Sequence, residues 1–304
     1  MSVKTVLSSS IMKKVWMALT GLFLCTFLIG HLAGNLQLIM KTGEEGRRAF
    51  NEYAYFMGHN PFIKVLSYVT YFSILFHAFQ GLYLAYQNKK ARPQGYAYNS
   101  PSANSSLPSR YMATLGTIIL VFIVTHMANF WWRAKITEDI PLHYKVIEQE
   151  QGLQKLRISY ALTTQGDYLP FSVREVNSGT YLDMRTGQPA TGNEDTCSFQ
   201  IKDKHSFYDK NSNLKLGEGY KDLYTVVMDF FNPAKNSMAL FYMLLYVISM
   251  AVLSFHLWHG FSSGFQSLGL NHKKYTPLLH WVGRAFALVV PALFALITVL
   301  IYMK

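Results

Sequence analysis

Charge is scarce in this 304-residue chain: 15% of its residues are Asp, Glu, Lys or Arg, while half are hydrophobic. A soluble globular domain carries about 25% charged residues, so two water-facing domains are excluded and a membrane protein is the better reading. Acids are scarcer still, 17 against 28 basic residues, for a formal net charge of +11. Fourteen of the acids fall between Arg133 and Lys235, where thirteen basic residues nearly balance them. The rest of the chain keeps three acids and fifteen basic residues, so the positive excess belongs to the apolar part. Nucleic-acid binding needs a solvent-facing basic surface and does not fit; cationic cytoplasmic loops do. Cysteine is almost missing. Cys25 and Cys197 exclude a disulfide framework and a thiolate metal site, and without a CxxCH string any haem here is held without covalent attachment.

Five stretches lack all four charged residue types: Val15 to Met40, Val65 to Asn88, Tyr111 to Trp132, Asn236 to His272 and Ala285 to Met303. A bilayer core about 30 Å thick needs roughly 20 residues at 1.5 Å each, so each stretch is long enough to span. In the fourth, the apolar part is Met238 to Phe261, with a polar, Gly-containing stretch after it. The expected fold is an all-α integral membrane protein of five transmembrane helices in a haem-binding bundle. It divides into 1–132 (helices one to three), a polar insertion over 133–235, and 236–304 (helices four and five). The first run follows Lys13-Lys14 but exceeds a 7–15-residue signal core and lacks a small-x-small cleavage site, so it reads as a retained helix.

With the N-terminus inside, the short cytoplasmic parts carry Lys4, Lys13, Lys14, Lys89, Lys90, Arg92, Arg110, Lys273, Lys274 and Arg284 and no acid. The positive-inside bias therefore puts the N-terminus in the cytoplasm, and the C-terminus and the 133–235 insertion outside. On the opposite face, Lys41, Arg47, Arg48 and Lys64 are offset by Glu44, Glu45 and Glu52 in a short loop. Alternation in Leu156–Leu162 and Thr196–Ile201, with turn signals at Asn177-Ser-Gly, Thr186-Gly and Thr191-Gly-Asn, points to short strands in a small β-rich cap or an ordered loop. Leu223 to Phe231 reads as an amphipathic lead-in to helix four.

Five of the ten histidines lie inside the spans: His31, His77, His126, His256 and His259. Ionisable groups at that depth are costly and mark functional sites, although a lone histidine is as readily a hydrogen bond between helices. Depth separates the readings. His31 lies about 24 Å along helix one and His126 about 22 Å along helix three, both toward the outer side. His77 is about 15 Å from the inner end of helix two, and His256 comes late in the inward-running helix four. Two imidazoles at each of two levels, from four helices, are what two bis-histidine haems require. Zinc usually needs four donors converging on one point. Phe76-His77-Ala-Phe-Gln-Gly81 and Phe255-His256-Leu-Trp-His-Gly260 repeat one pattern, with a glycine one turn beyond the histidine where a flat macrocycle has room. Glycine also serves close helix packing in membranes. The repeat favours His256 over His259 as ligand and leaves His259 beside the haem.

The strings Lys13-Lys14-Val-Trp-Met-Ala-Leu-Thr-Gly, His31-Leu-Ala-Gly-Asn-Leu, Phe50-Asn-Glu-Tyr-Ala, Asn60-Pro, Tyr86-Gln-Asn-Lys-Lys-Ala-Arg92 and His256-Leu-Trp-His-Gly, with His77 and His126 in that order, resemble the dihaem cytochrome b membrane anchor of succinate:quinone oxidoreductases, fumarate reductases included. The resemblance covers the membrane part and not Arg133 to Lys235. It implies a subunit of a bacterial cytoplasmic membrane that carries two haem b and reacts with quinone, menaquinone being the expected one. Its implied partners are a flavoprotein (FAD) subunit, an iron–sulfur subunit and membrane lipid. Carried over, His77 and His256 ligate the haem nearer the soluble subunits, and His31 and His126 the distal one. Arg284 becomes a propionate partner. The glutamates that some members place early in helix two and just before the helix-four ligand are missing from Val65-Leu-Ser-Tyr68 and Leu253-Ser-Phe-His256. Glu52, His59 and Tyr68 are left as quinone-site candidates. No flavin or iron–sulfur motif is present, so the chain has no succinate-oxidising site of its own. The alternatives are the cytochrome b subunit of another oxidoreductase, such as a hydrogenase, formate dehydrogenase or nitrate reductase, and a non-redox membrane transporter.

Overall fold

A computed structural model describes residues 9–92, 94, 100, 103, 105–137, 140–151, 154–175, 181–182, 189–190, 199–202 and 204–304. Five of its helices are long and apolar enough to cross a membrane: Ser10–Met40 (α1), Pro61–Lys90 (α3), Met112–Lys135 (α5), Ala239–Ser267 (α7) and Thr276–Tyr302 (α8). Shorter helices are Gly43–His59 (α2), Leu107–Arg110 (α4) and Leu223–Phe231 (α6). The chain forms two compact units. One comprises residues 1–40, 59–130 and 228–304; the other comprises 41–58 and 131–227.

Helices α1, α3, α5 and α8 run past their charge-free stretches, whereas α7 lies inside its own. Lys13 and Lys14 lie within α1, Lys64 within α3 and Arg284 eight residues into α8. Long basic side chains near helix ends reach back toward water, so they do not cap the apolar run. The polar stretch after Phe261 also continues the helix, to Ser267. α3 begins sharply because the Asn60 carboxamide oxygen accepts from the backbone N–H groups of Phe62 (2.9 Å) and Ile63 (3.3 Å), with Pro61 entering at the first turn. Lys89 and Lys90 then meet the partial negative charge at its C-terminus. α5 changes from α to π hydrogen bonding over Met127–Trp132, directly after His126. That wider turn re-aims the residues after the histidine, a distortion frequent at functional sites.

α1 packs on α3, α7 and α8, while α7 also contacts α5. Cys25, Leu257 and Ala287 form a buried cluster with Leu28, Leu253, Phe261 and Phe286 packed around it. Without a hydrophobic force between helices in lipid, close approach depends on small residues. A Cβ on Gly283 would fall 2.6 Å from a ring carbon of Phe261, and one on Gly264 would fall 3.1 Å from Leu22. Outward positions such as Phe62, Phe72, Phe79, Ile248 and Trp281 are apolar and exposed, as a lipid-facing surface requires.

The second unit joins two antiparallel sheets to a helix. Tyr144–Gln151 (β1), Gln154–Leu162 (β2), Tyr168–Glu175 (β3), Tyr181–Leu182 (β4) and Pro189–Ala190 (β5) form a five-stranded meander. Phe199–Lys202 (β6), Ser206–Asp209 (β7) and Lys215–Glu218 (β8) form a three-stranded one. The strand expected at 156–162 appears within β2, and the 199–201 part of the one expected at 196–201 within β6; residues 196–198 and the three turn signals lie outside the described residues. The stretch carrying Arg47, Arg48 and the three glutamates is not a loop but α2, and it belongs to this unit. Opposite charges spaced three and four residues apart along it, Lys41 to Glu45 at 3.1 Å and Arg48 to Glu52 at 2.7 Å, suit a helix face.

A buried polar network fixes α2 within this unit. Asn51 and His143 are 0% exposed and Asp222 is 1% exposed. The Asn51 carboxamide oxygen accepts from the Tyr224 N–H (2.9 Å), so its amino group faces Asp222 (2.9 Å) and the His143 Nδ1 (3.2 Å). The imidazole therefore accepts at Nδ1 and donates from Nε2 to Glu44, 2.6 Å away. Arg47 completes the network with Nε and Nη2 bonds of 2.9 and 2.6 Å to the second oxygen of Asp222. Burial alone would raise the Asp222 carboxyl, but the hydrogen bonds from Arg47, Asn51 and Thr225 outweigh it and hold the group below its ordinary range. Glu44 is likewise held low, the bonds from His143 and Tyr168 and the nearby charges overcoming desolvation.

Two outcomes follow from these contacts. Gly283→Ala is expected to cost about 1–3 kcal/mol, read as a lower unfolding temperature in detergent, because Phe261 has to move. Asp222→Asn removes the buried charge that Arg47 faces and leaves Arg47 its bonds to Glu44 and the Tyr144 carbonyl, so it is expected to cost about 1–3 kcal/mol, read as faster hydrogen exchange across β1, β2 and α2. Both carboxyls have depressed folded pKa values, so their contribution is complete above the unfolded carboxylate range and lost as pH falls through the folded values. Protection in this unit is therefore expected to fall on acidification, and a rise would contradict the network.

Candidate functional site

Four of the five membrane histidines meet in two pairs in the bundle. His31 of α1 faces His126 of α5 with ring centroids 5.9 Å apart and planes at 84°. His77 of α3 faces His256 of α7 at 6.3 Å and 73°. A metal–imidazole bond of about 2.0–2.1 Å, with the ring centre about 1.1 Å behind each nitrogen, puts two opposed ligands roughly 6.3 Å apart, centre to centre. The His77–His256 pair stands at that separation and the His31–His126 pair within about 0.4 Å of it. Among the described residues no group of three or more His, Cys, Asp or Glu side chains converges as a metal site. Each pair could therefore hold a group that needs two opposed donors, as a planar tetradentate macrocycle does.

Three helices agree on the distance between the pairs. A Cβ on Gly21 of α1 would lie 3.1 Å from the His77 ring, so Gly21 marks the level of that pair, and His31 follows ten residues later. On α5, a Cβ on Gly116 would lie 3.5 Å from the His256 ring, and His126 follows ten residues later. On α7, the Tyr246 hydroxyl is 3.3 Å from the His126 Nδ1, and His256 follows ten residues later. Ten residues at 1.5 Å put the levels about 15 Å apart along the helices.

The same residues expose an internal repeat. Met17, Gly21 and His31 on α1 have the spacing of Met112, Gly116 and His126 on α5, while His77 and Gly81 on α3 match His256 and Gly260 on α7. Contacts repeat as well. Gly21 lies by His77 as Gly116 lies by His256, and a Cβ on Gly81 would lie 3.7 Å from the Met17 methyl as one on Gly260 would lie 3.8 Å from the Met112 methyl. The bare backbone beside the imidazoles therefore belongs to Gly21 and Gly116. Gly81 and Gly260 instead admit a methionine from the neighbouring helix.

Aromatic rings close around the His31–His126 pair. Phe27 stacks on His31 at 5.4 Å and 13°, Phe294 of α8 lies 5.5 Å away, and Phe122 and Phe130 flank His126. At the other level the Thr20 hydroxyl is 3.2 Å from the His77 Nδ1. The His256 Nδ1 is buried with no hydrogen-bond partner. An unpaired imidazole nitrogen in an apolar bundle costs about 1–3 kcal/mol.

The remaining sequence candidates are placed as follows. His259 bonds Ser263 on its own helix, Nε2 to Oγ 3.0 Å, and does not join the pair. The Arg284 guanidinium lies over the Trp258 ring at 5.6 Å. Lys13 reaches Gln87 at 3.4 Å and covers the Tyr83 ring. Glu52 is committed to Arg48 in the second unit, whereas His59 and Tyr68 belong to the bundle, Tyr68 being exposed and in edge contact with Tyr71. The sequence reading missed Thr20, Gly21, Gly116 and Tyr246. The signal for the glycines was present: two glycines each ten residues before a histidine, on helices running the same way.

Compared with known protein families, with curated proteins and with solved structures, the chain matches none.

If each pair is one iron site, His31→Ala and His126→Ala abolish the same b-type absorbance, and His77→Ala and His256→Ala abolish the other. His259→Ala is expected to keep both. Difference spectra of the purified variants check this; loss of a haem on removing His259 would transfer the ligand role to it.

Proposed function

We propose that the chain is the dihaem cytochrome b membrane anchor of a succinate:quinone oxidoreductase, passing electrons between an iron–sulfur partner and membrane quinone. The observation that carries the reading is the opposition of two imidazole pairs, from four helices, at metal-bridging separation. His31 and His126 would hold one haem b, and His77 and His256 the other. Bound haem supplies one-electron exchange between ferric and ferrous iron.

The chain's own residues do the rest. Four different helices give one imidazole each, so bundle packing sets both ligand distances. Gly21 and Gly116 let the rings of His77 and His256 lie against neighbouring backbone. Phe27, Phe122, Phe130 and Phe294 exclude water around His31 and His126. Lys13, toward one end of α1, offers a cation for a propionate, as does Arg284 of α8. With the N-terminus cytoplasmic, the His77–His256 level is the one nearer the soluble subunits, and the second unit stands outside. The choice of a succinate complex over a hydrogenase, formate dehydrogenase or nitrate reductase rests on the sequence resemblance.

The complex purified through a tag on this chain is expected to retain a flavoprotein and an iron–sulfur protein, and succinate is expected to reduce its b-type cytochrome. Reduction by hydrogen or formate, with other partners attached, would assign the anchor elsewhere. Near-perpendicular imidazole planes also predict strongly anisotropic low-spin EPR signals from both ferric haems; the ordinary rhombic signals of parallel ligands would contradict these ring orientations.

A further inference from the structure

The repeat relating α1 and α3 to α5 and α7 breaks one position before the first glycine: Thr20 stands in one half and Leu115 in the other. Thr20 is a buried residue. Its Oγ1 lies 2.9 Å from the Trp16 carbonyl, 3.2 Å from the Met17 carbonyl and 3.2 Å from the His77 Nδ1. A hydroxyl has one proton, and a carbonyl can only accept. The Thr20 proton therefore goes to the backbone of its own helix, and its oxygen lone pair faces His77. The imidazole has to donate there, which puts its proton on Nδ1 and leaves Nε2 as a bare lone pair. In the other half, leucine offers no polar atom and the His256 Nδ1 has no partner.

We infer that Thr20 is a positioning residue that locks His77 in the tautomer presenting Nε2 to a metal, making His77 the fixed ligand of its pair and His256 the one without an outer anchor. The inference rests on the haem reading given above. An acceptor on Nδ1–H raises the basicity of a metal-bound imidazole and favours the higher oxidation state. Threonine bonding back to the i−4 carbonyl is also a common packing habit, but packing alone leaves a haem potential unmoved.

The test is an equilibrium redox titration of both haems in the purified complex, for wild type, Thr20→Val, Thr20→Ser and Leu115→Thr. Thr20→Val keeps the shape and removes the acceptor. It is expected to raise the potential of one haem by a three- to tenfold change in the ferric/ferrous ratio, about 28 to 59 mV for one electron, and to leave the other haem alone. Thr20→Ser is expected to restore the wild-type value. Leu115→Thr, which supplies the missing hydroxyl to His256, is expected to lower the same haem and gives a reading even where Thr20→Val does not assemble. Unchanged potentials in Thr20→Val, an equal shift in Thr20→Ser, or no change in Leu115→Thr would overturn the assignment. A wild-type complex without haem would instead remove the haem reading itself, and the missing b-band would show it before any variant was made.

Discussion

Everything in the bundle turns on the satisfaction of four imidazoles where water is absent. Inside a bilayer an unpaired polar nitrogen costs free energy, and helices are chosen because they satisfy their own backbone. A histidine has no such internal solution. Here the problem is met by opposition: each imidazole faces one from another helix at the separation one metal ion bridges. Of the outer nitrogens, those of His77 and His126 meet hydroxyl groups from Thr20 and Tyr246. The small residues and the phenylalanine walls are consequences of holding rings in those positions.

The internal repeat gives this arrangement an economical origin in the sequence. One methionine–glycine–histidine spacing serves α1 and α5, and one histidine–glycine spacing serves α3 and α7. Two half-sites with the same histidine pairing and the same glycine contacts result. Function that distinguishes the two levels has to come from departures from the repeat. Thr20 against Leu115 is one. Tyr246 against Ser67 is another, since Ser67 turns its hydroxyl to the Ile63 carbonyl and Tyr246 turns its own to His126.

Much of this was legible in the residues. Charge-free runs of spanning length locate the five long helices because bilayer thickness and helical rise leave little freedom. Helix ends were less legible, since Lys13, Lys64 and Arg284 lie inside helices whose long side chains tolerate them. Grouping the histidines by depth needed only 1.5 Å per residue, whereas ring separations and hydroxyl contacts depend on helix rotation, which periodicity in an all-apolar span does not encode. α2 was hidden for a different reason. Its charges resemble those of a loop, and its place is set by Asn51, His143 and Asp222, which are far apart in sequence and paired only by the fold.

The central claim is that two haem b are held by this one chain. Pyridine haemochrome analysis of the purified complex, normalised to chain concentration, tests it most directly. The account predicts two haem b per chain; folded protein containing none would contradict it and return the histidines to helix packing or proton transfer.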